Sequence, residues 1–92
     1  MKLVWRHRAE LQLRAQLQFI KAANPQAELR VRRRIQQRLM RLRRAPLTGR
    51  STPAENVREL VIVRTPYVAV YLVKDGVITI LQFFHMSQDR ST

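Results

Sequence analysis

The spacing of apolar residues predicts two consecutive amphipathic helices near the start of the chain. In residues 8–23, Leu13, Leu17 and Ile20 occupy positions i, i+4 and i+7, with Ala9 on the same side. Residues 25–44 carry a second apolar stripe of the same period. Its members are Ala27, Val31, Ile35, Leu39 and Leu42. Each stripe needs a partner surface, so both helices should pack against the rest of the chain.

Short punctuating segments separate these patterns from one another. Asn24 is a favourable N-cap residue and Pro25 suits the first position of a helix, so the two helices should form a hairpin with almost no loop. After the second helix, Pro46, Gly49 and Pro53 fall within twelve residues, which predicts a loop over residues 45–56.

Extended segments account for the remaining apolar residues. Lys2–Trp5 predicts a first strand before the helices, and three later runs are rich in β-branched and aromatic residues, at 57–63, 67–73 and 77–84. Asp75-Gly76 between the last two runs is a strong hairpin signal. The order β-α-α-β-β-β predicts an α+β fold in which the helical hairpin packs on one face of a mainly antiparallel four-stranded sheet. Residues 1–92 should form a single domain.

The charge of the chain indicates an acidic binding partner. The chain has 18 Lys and Arg against 6 Asp and Glu, a net charge of +12, and residues 30–44 contain eight arginines and no acid. Four of them should form a stripe beside the apolar stripe of the second helix: Arg30, Arg34, Arg38 and Arg41. The others occupy the remaining circumference, which is typical of an electrostatic surface without readout of base sequence.

Residues suited to cofactor or metal chemistry are scarce. The sequence has no glycine-rich phosphate loop and no carboxylates paired on one helix face, and its two histidines lack neighbouring ligands in a metal-binding pattern. We therefore expect no cofactor and no metal. There is no cysteine, no leader-like segment and no apolar run long enough to cross a membrane, so we expect a cytoplasmic protein without membrane contact.

A few side chains remain open to two interpretations. His85, at a strand end, is either a general acid or base or a half-buried residue that orders the C-terminal segment by hydrogen bonding. Arg58 and Arg64 either form a cationic rim for phosphate or pair with a carboxylate of Glu55, Glu59 or Asp89. Tyr67 and Tyr71 are expected in the core, with stacking on a base as the alternative.

The C-terminal half contains three short motifs: "RELV" at residues 58–61, "RTPY" at 64–67 and the H-x-x-Q-D pattern at 85–89. In this combination it resembles the ParE-like branch of the RelE/ParE toxin superfamily. The resemblance extends through the N-terminal half to nearly the whole chain, at "VW" (4–5), "FI" (19–20), "NP" (24–25), Leu13, Arg14, Pro46, Gly49 and Arg50. It implies the β-α-α-β-β-β order, which the apolar pattern predicts independently.

The resemblance also implies the toxin half of a type II toxin–antitoxin pair, neutralised by a small acidic antitoxin in a hetero-oligomer. The antitoxin would bind the stripe of Arg30, Arg34, Arg38 and Arg41. ParE-like members inhibit DNA gyrase and are not enzymes, whereas RelE-like members cleave messenger RNA on the ribosome. The residues at which the family motifs would meet a target are Arg58, Arg64, Tyr67, His85, Gln88 and Asp89.

The sequence departs from the ribonuclease pattern in its tail. Met86 stands where ribonuclease members often have a basic residue, and residues 87–92 contain no tyrosine. Arg64 and His85 remain as candidates for a nuclease site. We therefore expect a gyrase inhibitor, with a ribosome-dependent endoribonuclease using Arg64 and His85 as the alternative.

Overall fold

The computed structural model describes residues 1–88, which form two helices and five strands. The elements are β1 (Lys2–Trp5), α1 (His7–Ala23), α2 (Pro25–Arg44), β2 (Arg50–Ser51), β3 (Val57–Val61), β4 (Tyr67–Lys74) and β5 (Val77–His85). Both helices and the four longer strands lie where the sequence predicts them. The third strand ends at Val61 instead of residue 63, because Arg64 adopts a φ of 65° in the turn that leads to β4.

The sheet is mixed, with the strand order β1-β5-β4-β3-β2. β1 runs parallel to β5 and the other neighbours are antiparallel, which confirms the predicted mainly antiparallel α+β fold. The fifth strand is a difference from the expected four. It consists of Arg50 and Ser51, which pair with Glu59 and Arg58 inside the predicted loop 45–56. Two residues are too few to show the alternation by which a strand is recognised in sequence.

Local side-chain chemistry fixes the predicted turns. The Asn24 side chain accepts hydrogen bonds from the backbone N–H groups of Gln26 and Ala27, both at 3.1 Å, as expected of an N-cap. Asp75 and Gly76 have φ angles of 53° and 75°, the two positive values of a type I′ hairpin turn. The helical hairpin and the β4–β5 hairpin therefore form from short-range signals.

The hydrophobic core lies between the helices and one face of the sheet. From α2 it takes Ile35, Leu39 and Leu42, which confirms the phase of the predicted apolar stripe. The sheet contributes side chains from β3, β4 and β5 and from the turn after β3, namely Leu60, Ile62, Tyr67, Ala69, Tyr71, Ile78, Ile80 and Phe83. Because α2 is held with this stripe inward, its arginines face outward or toward the sheet edge.

Candidate functional site

Two arginines of α2 attach the helix to the end of β3. Arg38 Nε donates a hydrogen bond to the Val61 carbonyl at 3.2 Å, and Arg34 Nη1 donates to the Arg64 carbonyl at 3.0 Å. Guanidinium groups are rigid donors well suited to such carbonyl contacts. The two contacts place the cationic side of α2 beside the β3–β4 turn.

A groove of about 300 Å³ lies between α2 and this turn. Its lining is cationic, with no carboxylate among the lining residues: Arg34, Gln37, Arg38, Arg41, Val63 and Arg64. Val63, within this lining, is 54% exposed, and Val61, whose carbonyl accepts from Arg38, is 45% exposed. The groove thus combines several positive charges with exposed apolar surface, a combination that suits an acidic, partly apolar polypeptide.

Some of the remaining α2 arginines bond to other groups of the protein and some do not. Arg32 pairs with the buried carboxylate of Glu28, and Arg43 Nε donates to the Met1 carbonyl at 3.0 Å. Four others are exposed, and their guanidinium groups make no hydrogen bond or ion pair within residues 1–88: Arg30, Arg33, Arg41 and Arg44. Of the stripe predicted to bind the antitoxin, Arg34, Arg38 and Arg41 line the groove, whereas Arg30 does not.

Arg58 holds the loop before β2. Its Nη1 donates to the carbonyls of Gly49 at 2.8 Å and Leu47 at 3.3 Å. Neither interpretation from the sequence, an open rim or a carboxylate pair, describes this arrangement within residues 1–88. The reason is strand alternation, because residue 58 shares the helix-covered face with Leu60 while Glu59 faces the other way and pairs with Arg50.

Tyr71 clamps the same loop from inside the core. Its hydroxyl donates to the Pro46 carbonyl at 2.8 Å and accepts from the Gly49 N–H at 2.9 Å. Burial raises the pKa of the Tyr71 phenol, an effect that the Gly49 hydrogen bond and the nearby positive charges of Arg58 and Arg38 partly oppose. The sequence predicted Tyr71 in the core but not its hydrogen bonds to this loop. The signal that could have indicated them is Gly49, directly before Arg50 of β2, where a side chain would meet the Tyr71 hydroxyl.

His85 orders the start of the C-terminal segment. Its Nδ1 accepts a hydrogen bond from the Ser87 N–H at 3.0 Å, and its own N–H donates to Gln88 Oε1 at 2.7 Å. Since a backbone N–H can only donate, Nδ1 carries no proton and the neutral ring holds its proton on Nε2. These are the hydrogen bonds that the structural interpretation of this half-buried histidine predicts.

Tyr67 packs beneath His85. Its ring stacks on Phe83 at a centroid distance of 5.3 Å and meets the His85 ring edge-on at 5.5 Å. Tyr67 is 4% exposed and Tyr71 is fully buried, so neither ring can stack on a base and that alternative is wrong. Burial also raises the pKa of the Tyr67 phenol. Tyr67 therefore positions Phe83 and His85 and has little surface of its own to offer a ligand.

Arg64 and the tail lie at one end of the sheet. The Met86 N–H donates to the Pro66 carbonyl at 2.8 Å, which holds the segment after β5 against the β3–β4 turn. Arg64 and Gln88 are exposed there, and no hydrogen bond joins the side chains of Arg64 and His85 within residues 1–88. Asp89, the last of the predicted motif residues, lies outside the described residues.

No group of three or more His, Cys, Asp or Glu side chains within residues 1–88 is placed to hold a metal ion. Neither α1 nor α2 is long and apolar enough to cross a membrane.

Comparison with known proteins agrees with this architecture. None of the curated proteins matches the sequence. The family model described as "ParE toxin of type II toxin-antitoxin system, parDE" matches residues 3–90. A solved structure titled "Chromosomal ParDE TA system from P. aeruginosa" is similar with a TM-score of 0.79 and 26% sequence identity, over 92% of this chain and 95% of that one. The chain belongs to the ParE toxin family of type II toxin–antitoxin systems.

Proposed function

We propose that this toxin inhibits DNA gyrase by stoichiometric binding and that an acidic antitoxin neutralises it in a toxin–antitoxin hetero-oligomer. The proposal is carried by the family match over residues 3–90. Under this proposal the toxin acts in the cytoplasm, where gyrase acts. Of the motif residues in the described part of the chain, Arg64 and Gln88 have exposed side chains, so we assign target contact to this end of the sheet.

The geometry around His85 favours inhibition over ribonuclease chemistry. A general acid or base must be free to exchange a proton with the substrate. His85 Nδ1 accepts from the Ser87 N–H, with the Ser87 hydroxyl also 2.7 Å away, so in this arrangement Nε2 carries the ring proton and is not free to accept one as a base. Arg58, a second cation of the family motif, donates to loop carbonyls instead of facing His85. Arg64 and a His85 whose Nδ1 already accepts a hydrogen bond are then the remaining candidates, and they give a poor nuclease site.

The cationic groove between α2 and the β3–β4 turn is the proposed antitoxin site. Carboxylates of an acidic segment would pair with Arg34, Arg38 and Arg41, and its apolar residues would cover Val61 and Val63. Arg30, one helical turn before Arg34, would add to the field that attracts the segment. A charged surface of this kind speeds the encounter with a disordered acidic partner.

A supercoiling assay tests the proposed target. Purified toxin added to gyrase, relaxed plasmid and ATP is expected to abolish negative supercoiling once toxin and gyrase are present in comparable amounts, because inhibition is stoichiometric. The matched control is a topoisomerase I relaxation assay with the same toxin, in which activity should persist. Full supercoiling at a large molar excess of folded toxin would contradict the proposal.

A charge variant tests the antitoxin site. Replacing Arg30, Arg34, Arg38 and Arg41 with glutamine is expected to slow association with the antitoxin by roughly tenfold or more at low salt and to flatten its salt dependence, because long-range steering depends on charge. Stopped-flow fluorescence measures the association rate.

The control for this variant removes the same number of charges elsewhere. Lys2, Arg6, Arg8 and Lys21 are exposed and lie on β1, α1 and their junction, away from the groove. Changing these four to glutamine should leave most of the association rate intact. An unchanged rate in the groove variant at low salt, with circular dichroism showing that it is folded, would reject the role of these arginines.

A further inference from the structure

The solvent-facing side of α2 carries a row of polar residues, of which Gln37 and Arg41 also line the groove and the other four lie outside it. The row runs the length of the helix at steps of three or four residues and covers about 80° of its circumference. We call it the outer row, and it comprises Gln26, Arg30, Arg33, Gln37, Arg41 and Arg44. All six side chains are exposed, and none is apolar or acidic.

The charges of the outer row are not neutralised within the described structure. The guanidinium groups of its four arginines make no hydrogen bond or ion pair in residues 1–88. The single acid of α2, Glu28, is 4% exposed and pairs with Arg32 on another side of the helix. From Arg30 to Arg44 the row spans about 21 Å at 1.5 Å per residue. Such an array of like charges favours a ligand with repeated negative charges along a line.

The composition of the row indicates which polyanion it suits. A protein interface is organised around an apolar or aromatic centre. The row itself contains no apolar residue, although the exposed side chains of Leu29 and Met40 lie beside it, whereas the groove includes the exposed apolar surface of Val63 with Val61 next to it. Sites for single-stranded nucleic acid add aromatic side chains for stacking, and the row contains none. Arginines spaced along a regular scaffold are suited to contacts with a duplex phosphate backbone.

We propose that the outer row binds the phosphate backbone of duplex DNA without sequence preference. An α-helix about 10–12 Å in diameter fits the B-form major groove, about 12 Å wide, whereas the deep and narrow major groove of A-form RNA does not admit it. The row of about 21 Å would follow roughly six base-pair steps at 3.4 Å per step. This second binding surface would let the toxin hold DNA as well as a protein target.

This inference stands apart from the proposed gyrase inhibition, because it concerns the free toxin and DNA alone. Arg33 and Arg44 belong to the outer row but not to the predicted antitoxin stripe. Arg34 and Arg38 belong to the stripe but bond to main-chain carbonyls at the end of β3. Arg30 and Arg41 belong to both surfaces, so the two are separated by comparing variants of Arg33 and Arg44 with variants of Arg34 and Arg38.

Fluorescence anisotropy with labelled DNA duplexes of two unrelated sequences tests the proposal between about 50 and 200 mM salt. Four neutralised phosphates predict a slope of log affinity against log salt of about −3.6 from this row, with equal affinity for both sequences. Replacing Arg30, Arg33, Arg41 and Arg44 with glutamine should reduce the steepness by about 3 to 4 and weaken binding at least tenfold. The Arg33→Gln, Arg44→Gln double variant should lose about half of that slope.

The control variant carries glutamine at Lys2, Arg6, Arg8 and Lys21, which removes the same charge but leaves the row intact, and its slope should remain close to that of the wild type. Equal loss in both folded variants would show that net charge, not the row, binds DNA, and would overturn the proposal. The proposal would also be overturned if a labelled polyglutamate peptide bound tightly, and lost that binding in the row variant, while the DNA duplexes did not bind. An RNA duplex should bind more weakly than DNA, and equal affinity would overturn the assignment to B-form DNA.

Discussion

Replacing Tyr71 with alanine is expected to lower the free energy of unfolding by about 3–5 kcal/mol, the range for truncating a large buried aromatic side chain. Tyr71 is fully buried between the helices and the sheet, and its hydroxyl holds two groups of the loop before β2. The variant therefore loses core packing and also leaves the Gly49 N–H and the Pro46 carbonyl without their partner. Urea unfolding followed by circular dichroism measures the change.

Phenylalanine at position 71 separates the two contributions. Tyr71→Phe keeps the ring and removes the hydroxyl, so the expected cost is about 1–3 kcal/mol for the buried polar groups left unpaired. Tyr67→Phe is the matched control, since no hydrogen bond from the Tyr67 hydroxyl is present within residues 1–88. It should cost no more than about 0.5 kcal/mol. Equal stability of the two variants would show that the Tyr71 hydroxyl does not hold the loop.

Alanine at position 49 is expected to lower the free energy of unfolding by about 3 kcal/mol, at the upper end of the usual cost of overpacking. A Cβ at this position would lie 2.5 Å from the Tyr71 hydroxyl oxygen and 2.8 Å from the Glu59 carbonyl oxygen. Both atoms are fixed, one by the core and one by the β3 backbone, so the loop itself must move. That movement would break the contacts of Arg58 and Tyr71 to the loop.

A second glycine provides the control for this substitution. Gly76 has a φ of 75° in the β4–β5 turn, and nothing lies within 4 Å of a Cβ placed there. Asparagine tolerates this conformation, so Gly76→Asn should change stability by less than about 1 kcal/mol. Thermal unfolding compares the two variants. A melting temperature of Gly49→Ala within error of the wild type would show that the loop does not pack tightly against Tyr71.

Most of the fold could be predicted because its signals are local. The apolar stripe of α2 has a single phase, and Leu39 and Leu42 are buried as that phase requires. Asn24 and the Asp75-Gly76 pair determine the two tight connections through groups no more than three residues away. The strand that the sequence did not predict, β2, is stabilised by pairing with β3, seven to nine residues later, and carries no pattern of its own.

The functional surfaces were less predictable, because long side chains form hydrogen bonds with groups that are distant in sequence. Arg34 bonds to the carbonyl of a residue 30 positions away, and Tyr71 reaches back 25 positions to Pro46. The eight arginines of residues 30–44 look equivalent in sequence, although only some are free for a ligand. Arg58 illustrates the same limit: its place in a motif suggested a site, but in the structure it fastens a loop.

The proposed inhibition of gyrase predicts that this toxin acts on DNA topology and not on messenger RNA. The most direct measurement expresses the toxin without its antitoxin and records, from the same cells, plasmid supercoiling and the 5′ ends of messenger RNA, for the wild type and for His85→Ala. We expect loss of negative supercoiling and no codon-specific cleavage, with little change in the His85→Ala variant as long as it folds. Codon-specific cuts that fall by roughly 10²–10⁴-fold in His85→Ala, the range for loss of a general acid or base, would contradict the account.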